Sequence, residues 1–251
     1  MAASPVIEAA RLAMGPVGAF LPVAPGDLVS AEVQRAAVRR LELAGFGTAW
    51  TNEVIGKDAL LQLAVLLAAT EHMVFGTCTA NMWARPPQTT HGAATQLWQA
   101  YPGRFVLGLG VGYAQQAESV GREFGRPLAT ARSYLAQMGS PAPELSYPRL
   151  LAANGPKMLA LAAEITDGAL PAGGPPDFTA SARAALGPEK LLVVYVDTSA
   201  AQGDATAVTA TVRDHLAAGA DHVIAGASFG SDFDLHVRRL EELAPALARV
   251  T

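Results

Sequence analysis

Residues 149–170 read RLLAANGPKMLALAAEITDGAL. Arg149–Ala153 is a short apolar run, and Asn154-Gly155-Pro156 ends it. Glycine lets the backbone turn closely, and proline suits the first position of a helix. Gly155–Thr166 then carries apolar residues at helical spacing, and Gly168–Leu170 forms a minimal second strand. Strand, helix and strand in so short a stretch make a crossover unit of a parallel sheet.

The same unit repeats in both directions. Upstream, the predicted strands are Arg11–Phe20, Gly47–Trp50, His72–Ala80 and Arg104–Val111, and the helices after them are Leu28–Ala44, Ala59–Thr70, Gln88–Ala100 and Leu128–Met138. Downstream, a helix over Asp177–Leu186 follows Gly168–Leu170. Leu191–Val196 then pairs with the helix Thr206–Ala218, and Asp221–Ala225 with Phe233–Arg249. Eight such units in 251 residues predict an α/β fold closed into a (β/α)8 TIM barrel, one domain over residues 1–251. The alternative is an open doubly wound sheet. That fold usually has fewer strands and often a glycine-rich first turn, and GAFLPVAPG at 18–26 lacks the G-x-G-x-x-G pattern.

Composition narrows the function. The chain is 51% apolar and 16% charged, with a formal charge of −4 and no basic run, so no nucleic-acid partner is expected. Its one cysteine, Cys78, rules out an intrachain disulfide. The start, MAASPVIEAARLAMGP, lacks the apolar core of a signal peptide. Leu60–Ala69 is too short to span a bilayer and is broken by Gln62. A cytoplasmic protein without a membrane partner is the expectation.

In a barrel the ligand site lies at the C-terminal ends of the strands. The residues placed there include Asn52, Glu53, Asn81, Trp83, Arg85, Gly112, Tyr113, Asn154, Lys157 and Asp197. This rim is polar but carries few charges. Of the five histidines only His91 is placed to reach it, so no metal cage is expected, and no G-x-S-x-G turn marks a serine hydrolase. Such a rim suits a bound cofactor that brings its own reactivity.

Single residues leave alternatives open. Ala153–Met158 is either an ordinary β–α turn or a helix start presenting free N–H groups to an anion. The glycines of Gly108-Leu109-Gly110 leave space inside the barrel rather than forming a nucleotide loop. Cys78 reads as a small buried residue rather than a nucleophile. Glu53 is either a general acid or a solvated loop carboxylate. Trp83, past a strand end, is a stacking candidate, whereas Trp98 packs within a helix.

GFGTAWTNE at 45–53, FGTCTANMWAR at 75–85, YPGRFVLGLGV at 101–111, RLLAANGPKMLALAAEITDGAL at 149–170 and AGADHVI at 218–224 resemble, in chain order, the strands of luciferase-like monooxygenases. Within that superfamily the chain is most similar to actinobacterial deazaflavin-dependent oxidoreductases. The resemblance implies coenzyme F420, with FMN as the alternative, bound in the barrel mouth, a small-molecule substrate and a homodimer. It implies a non-proline cis peptide near Cys78–Thr79 that supports the coenzyme ring. Cys78, Thr79, Asn81, Gly112, Tyr113 and Asn154 would bind the coenzyme, with Gly155, Pro156, Lys157 and Met158 facing its phosphate. Asn52, Glu53 and Tyr113 are the candidate catalytic residues. Two departures stand out: related enzymes carry a long, largely helical insert after the seventh strand, whereas here Asp197 leads almost directly to the helix at Thr206, and the rim lacks a histidine where some deazaflavin enzymes place a proton donor. A family member that binds without turnover is therefore the second reading. An isomerase or aldolase barrel is a third, against which no lysine lies within a strand.

Overall fold

The computed structural model describes residues 4–21, 29–139, 147–199, 204–227 and 232–250. Its strands are β1 (Val17–Leu21), β2 (Thr48–Thr51), β3 (Val74–Thr77), β4 (Ala80–Asn81), β5 (Phe105–Gly110), β6 (Arg149–Ala152), β7 (Gly168–Leu170), β8 (Leu191–Asp197) and β9 (His222–Gly226). All pair in parallel, and β1 pairs with both β2 and β9. β3 and its continuation β4 both pair with β5, which closes the ring into a barrel of eight staves.

The helices are α1 (Pro5–Met14), α2 (Ala31–Ala44), α3 (Ala59–Leu67), α4 (Pro87–Ala100), α5 (Ala114–Glu118), α6 (Pro127–Met138), α7 (Pro156–Ile165), α8 (Pro176–Leu186), α9 (Ala205–Ala217) and α10 (Phe233–Leu247). Local chemistry sets their ends. Ser30, Asp58, Asp204 and Asp232 accept N–H groups of the first turns of α2, α3, α9 and α10. Prolines open α1, α4, α6, α7 and α8.

Two apolar layers result. Outward strand residues such as Phe75, Leu107, Leu151 and Val194 pack against the helices. Inward residues, including Phe20, Trp50, Val74, Val106, Leu150, Leu170, Val193 and Ile224, fill the barrel.

The predicted strand Arg11–Phe20 is corrected here. Its first part belongs to α1, and β1 starts only at Val17. Ile7, Ala10 and Met14 share one helical face and join the inner cluster, so α1 plugs the N-terminal end of the barrel. Thr48 Oγ1 donates to Met14 O at 2.7 Å, which helps seat the plug. Below Trp50 lies His222. The Trp50 indole Nε1 donates to His222 Nε2 at 3.0 Å, and His222 Nδ1 faces Gly15 O at 2.7 Å. The carbonyl accepts only, so the proton sits on Nδ1 and Nε2 is left to accept. Burial pushes this imidazole down to about 4.

Candidate active site

The mouth at the C-terminal ends of the strands is organised by an irregularity between β3 and β4. Gly76 pairs with Val106, and Ala80 pairs with Leu109. The β3–β4 side therefore carries one residue more than β5 between these pairs, which defines a bulge. The peptide Cys78–Thr79 within it is cis, as the family resemblance implied.

The neighbouring strand is shaped to receive the bulge. A Cβ on Gly108 would lie 2.0 Å from the carbonyl oxygen of Thr77, and one on Gly110 would lie 2.4 Å from Thr79 Oγ1. The alternate glycines thus leave space for the adjacent backbone. Where the ladder lapses, a side chain takes over: Thr77 Oγ1 donates to Gly108 O at 2.7 Å and accepts from Gly108 N at 2.9 Å. Cys78 N donates to Thr51 O at 2.7 Å, and Met82 N to Gly110 O at 3.0 Å.

Glu53 lies at the centre of this arrangement. Its side chain is 1% exposed. Oε1 accepts from Ala59 N at 2.9 Å and Arg85 Nη1 at 2.6 Å. Oε2 accepts from Asn81 N at 2.6 Å and Arg85 Nη2 at 2.9 Å. Its own N–H donates to Thr79 O at 3.2 Å. Arg85 also reaches Asp58 Oδ2 at 2.9 Å, and these carboxylates hold its guanidinium above the ordinary range against the opposing effect of burial. Its burial rules out a solvated loop carboxylate, and four donors share the group. Lys57, on the same loop, donates to Thr51 Oγ1 at 2.8 Å and Asn52 O at 2.6 Å, and burial pushes its ammonium down to about 7.

The floor of the mouth is made by Cys78 and Tyr195, the partly exposed members of the inner cluster, over Phe20. Phe20 and Tyr195 meet edge to face with centroids 5.2 Å apart. The Tyr195 hydroxyl donates to Ala227 O at 2.8 Å, and burial pushes its phenol up. The Cys78 thiol is pushed up to about 12 by the same cause. Sequence reasoning missed Tyr195 because LLVVYV reads as a buried strand. The available signal was parity: Tyr195 shares the inward face with Leu191 and Val193.

Asn52 and Asn81 are buried at the rim, and Thr79 is half-buried. Asn81 Oδ1 accepts from Trp83 N at 2.9 Å. Gly112, with φ of 65°, turns the chain after β5. Tyr113 is 73% exposed, and its N–H donates to Gln116 Oε1 at 2.9 Å. Asn154 Oδ1 accepts from Ala172 N at 2.8 Å, tying the ends of β6 and β7. Gly155 caps α7 without a side-chain bond, Pro156 opens the helix, Lys157 is exposed and Met158 is half-buried against the outer core.

Other candidates are used elsewhere. The Trp83 indole donates to Val111 O at 2.6 Å and packs beside Phe124. His91 Nδ1 bonds the Tyr147 hydroxyl at 2.9 Å, which places it in the outer layer. Asp197 Oδ1 accepts from Ser199 N at 2.8 Å in a turn.

Residues 16–139 match the model of the luciferase-like monooxygenase family. The chain is 32% identical over 170 residues to a protein named as a coenzyme F420-dependent oxidoreductase of Mycobacterium tuberculosis, covering 53% of this chain and 49% of that one. It is 30% identical over 160 residues to a 5,10-methylenetetrahydromethanopterin reductase of Methanolobus tindarius, covering 55% of this chain and 49% of that one. These matches span about half the length of each curated relative. An F420-dependent secondary alcohol dehydrogenase, solved with an F420–acetone adduct, superposes with a TM-score of 0.71 at 15% identity, over 93% of this chain and 99% of that one.

Proposed function

We propose, from the premise that residues 16–139 belong to the luciferase-like monooxygenase family, that this chain is an oxidoreductase. In this reading coenzyme F420, or FMN as the alternative, binds in the barrel mouth, and hydride passes between the coenzyme ring and a small-molecule substrate. The observation that carries it is the chemistry of the side chains at the mouth, which suits a flat ring with an anionic tail. The floor is apolar and aromatic at Phe20, Cys78 and Tyr195, the rim carries the amides of Asn52 and Asn81, and the buried carboxylate of Glu53 is matched by Arg85.

The coenzyme supplies the hydride chemistry when bound, and the chain contributes position and exclusion of water. Cys78, Thr79 and Asn81 would lie under the ring, with Gly112 and Tyr113 along its side. Asn154 and the N-terminal turn of α7, Gly155 to Met158, would face the phosphate: that helix start has no side-chain cap, and Lys157 adds positive charge. Asn52 and Tyr113 would touch the substrate. The relative from Mycobacterium tuberculosis bears the name of a coenzyme F420-dependent oxidoreductase, which favours F420 over FMN. The protein would act as a homodimer in the cytoplasm. Among the described residues no helix is long and apolar enough to cross a membrane.

Titration with F420 and FMN side by side tests the reading. We expect fluorescence quenching with a micromolar or tighter Kd for at least one. At a coenzyme concentration of 100 times Kd, about 2.7 kcal/mol of added stability should appear as a raised Tm. A protein that neither quenches nor stabilises with either coenzyme would rule the proposal out.

A further inference from the structure

We infer that Glu53 is a positioning residue that holds the Cys78–Thr79 bulge as a shelf for the coenzyme ring, and that it is not the proton donor of the site. The inference rests on the proposed placement of the ring in the mouth. Between Gly76 and Ala80 no ladder pairing holds the chain to β5. Glu53 grips this interval through its ends: its N–H bonds Thr79 O, and its Oε2 accepts Asn81 N. The same carboxylate accepts Ala59 N at the start of α3 and both Arg85 Nη atoms. One buried side chain therefore ties the bulge to the β2–α3 loop, to a helix start and to the segment after β4.

Removing the charge leaves Arg85 with only the half-exposed Asp58 and weakens the bond to Asn81 N. Shelf order, rather than proton delivery, is what the site would lose. Cys78 gives a direct readout, because it is the only cysteine, stands half-buried on the shelf, and has its thiol held up by burial so that little reactive thiolate forms.

The experiment compares wild type, Glu53→Gln and Asp58→Asn. Asp58→Asn keeps a good helix cap and leaves the contact between Glu53 and Asn81 intact. The rate of Cys78 modification by a neutral thiol reagent is measured without coenzyme or denaturant, alongside Tm and coenzyme Kd. Glu53→Gln should label at least about tenfold faster and bind the coenzyme at least about tenfold more weakly, a loss of about 1.4 kcal/mol. Asp58→Asn should match wild type in both, whatever its Tm. If Glu53→Gln does not fold, the apolar pair Glu53→Met with Arg85→Met takes its place, with the same expectation. A wild-type labelling rate in Glu53→Gln overturns the inference, as does labelling that simply tracks Tm across the variants. Unchanged coenzyme binding in Glu53→Gln also overturns it. Should wild type bind neither coenzyme, the proposed function fails, and the thiol rates still decide whether Glu53 orders the shelf.

Discussion

At the scale of single residues, the two glycines of β5 look equivalent in sequence and differ in what faces them. Gly108 opposes backbone, and the Thr77 carbonyl cannot swing away without unmaking the bulge. Gly110 opposes the hydroxyl of Thr79, the end of a side chain that can change rotamer. Gly108→Ala should therefore cost about 3 kcal/mol or more, and Gly110→Ala about 1 kcal/mol. Urea midpoints of the two variants measure the difference, and equal costs would contradict this reading of the space beside each glycine. That these glycines leave interior space was legible in the sequence. What fills the space was not, because Thr77 and Gly108 become neighbours only through the pairing of β3 with β5.

At the scale of elements, the two ends of the barrel do different work. The N-terminal end carries a brace at Asp221, just before β9. Its carboxylate accepts from Arg11 of α1 at 2.8 Å, from Arg183 of α8 at 2.6 Å and from Leu192 N of β8 at 2.7 Å. Asp221→Asn should lower stability by about 2 kcal/mol, since two cations and a backbone N–H lose their full acceptor. Coenzyme affinity should stay at the wild-type value, because the brace lies at the end opposite the mouth. A denaturation curve and a coenzyme titration on one preparation check both halves, and a matching loss of affinity would mean that the ends are coupled. The elements themselves were largely legible: most predicted strands and helices lie within a few residues of those observed. The chain from Arg11 to Phe20 was misread because Ala, Leu and Met support either an apolar strand or an apolar helical face. Burial of Ile7, Ala10 and Met14 against the barrel decides for the helix. α5, with only five residues, is too short to show a period.

At the scale of the whole molecule, the buried pair of Trp50 and His222 links barrel closure to pH. An unfolded histidine takes up a proton near pH 6.5, while in the folded protein His222 does so only at about 4. Its contribution to stability is therefore fully present above pH 6.5 and lost as the pH falls from 6.5 to 4. The total is on the order of 3 kcal/mol. The imidazole resonance of His222 followed by NMR through that window should remain neutral down to about pH 5, and titration near 6.5 would refute the buried pair. By itself the sequence determined the order and kind of most elements and the parallel closed sheet. Those properties follow from local periodicity, turn residues and chain direction, which are written along the chain. Only the tertiary structure decided how the mouth is built. Glu53 meets Arg85 across 32 positions, and Tyr195 comes to lie over Phe20 beside Cys78. A carboxylate becomes a clamp, a solvated group or an acid according to which donors the closed barrel brings to it, and that choice is made by distance in space.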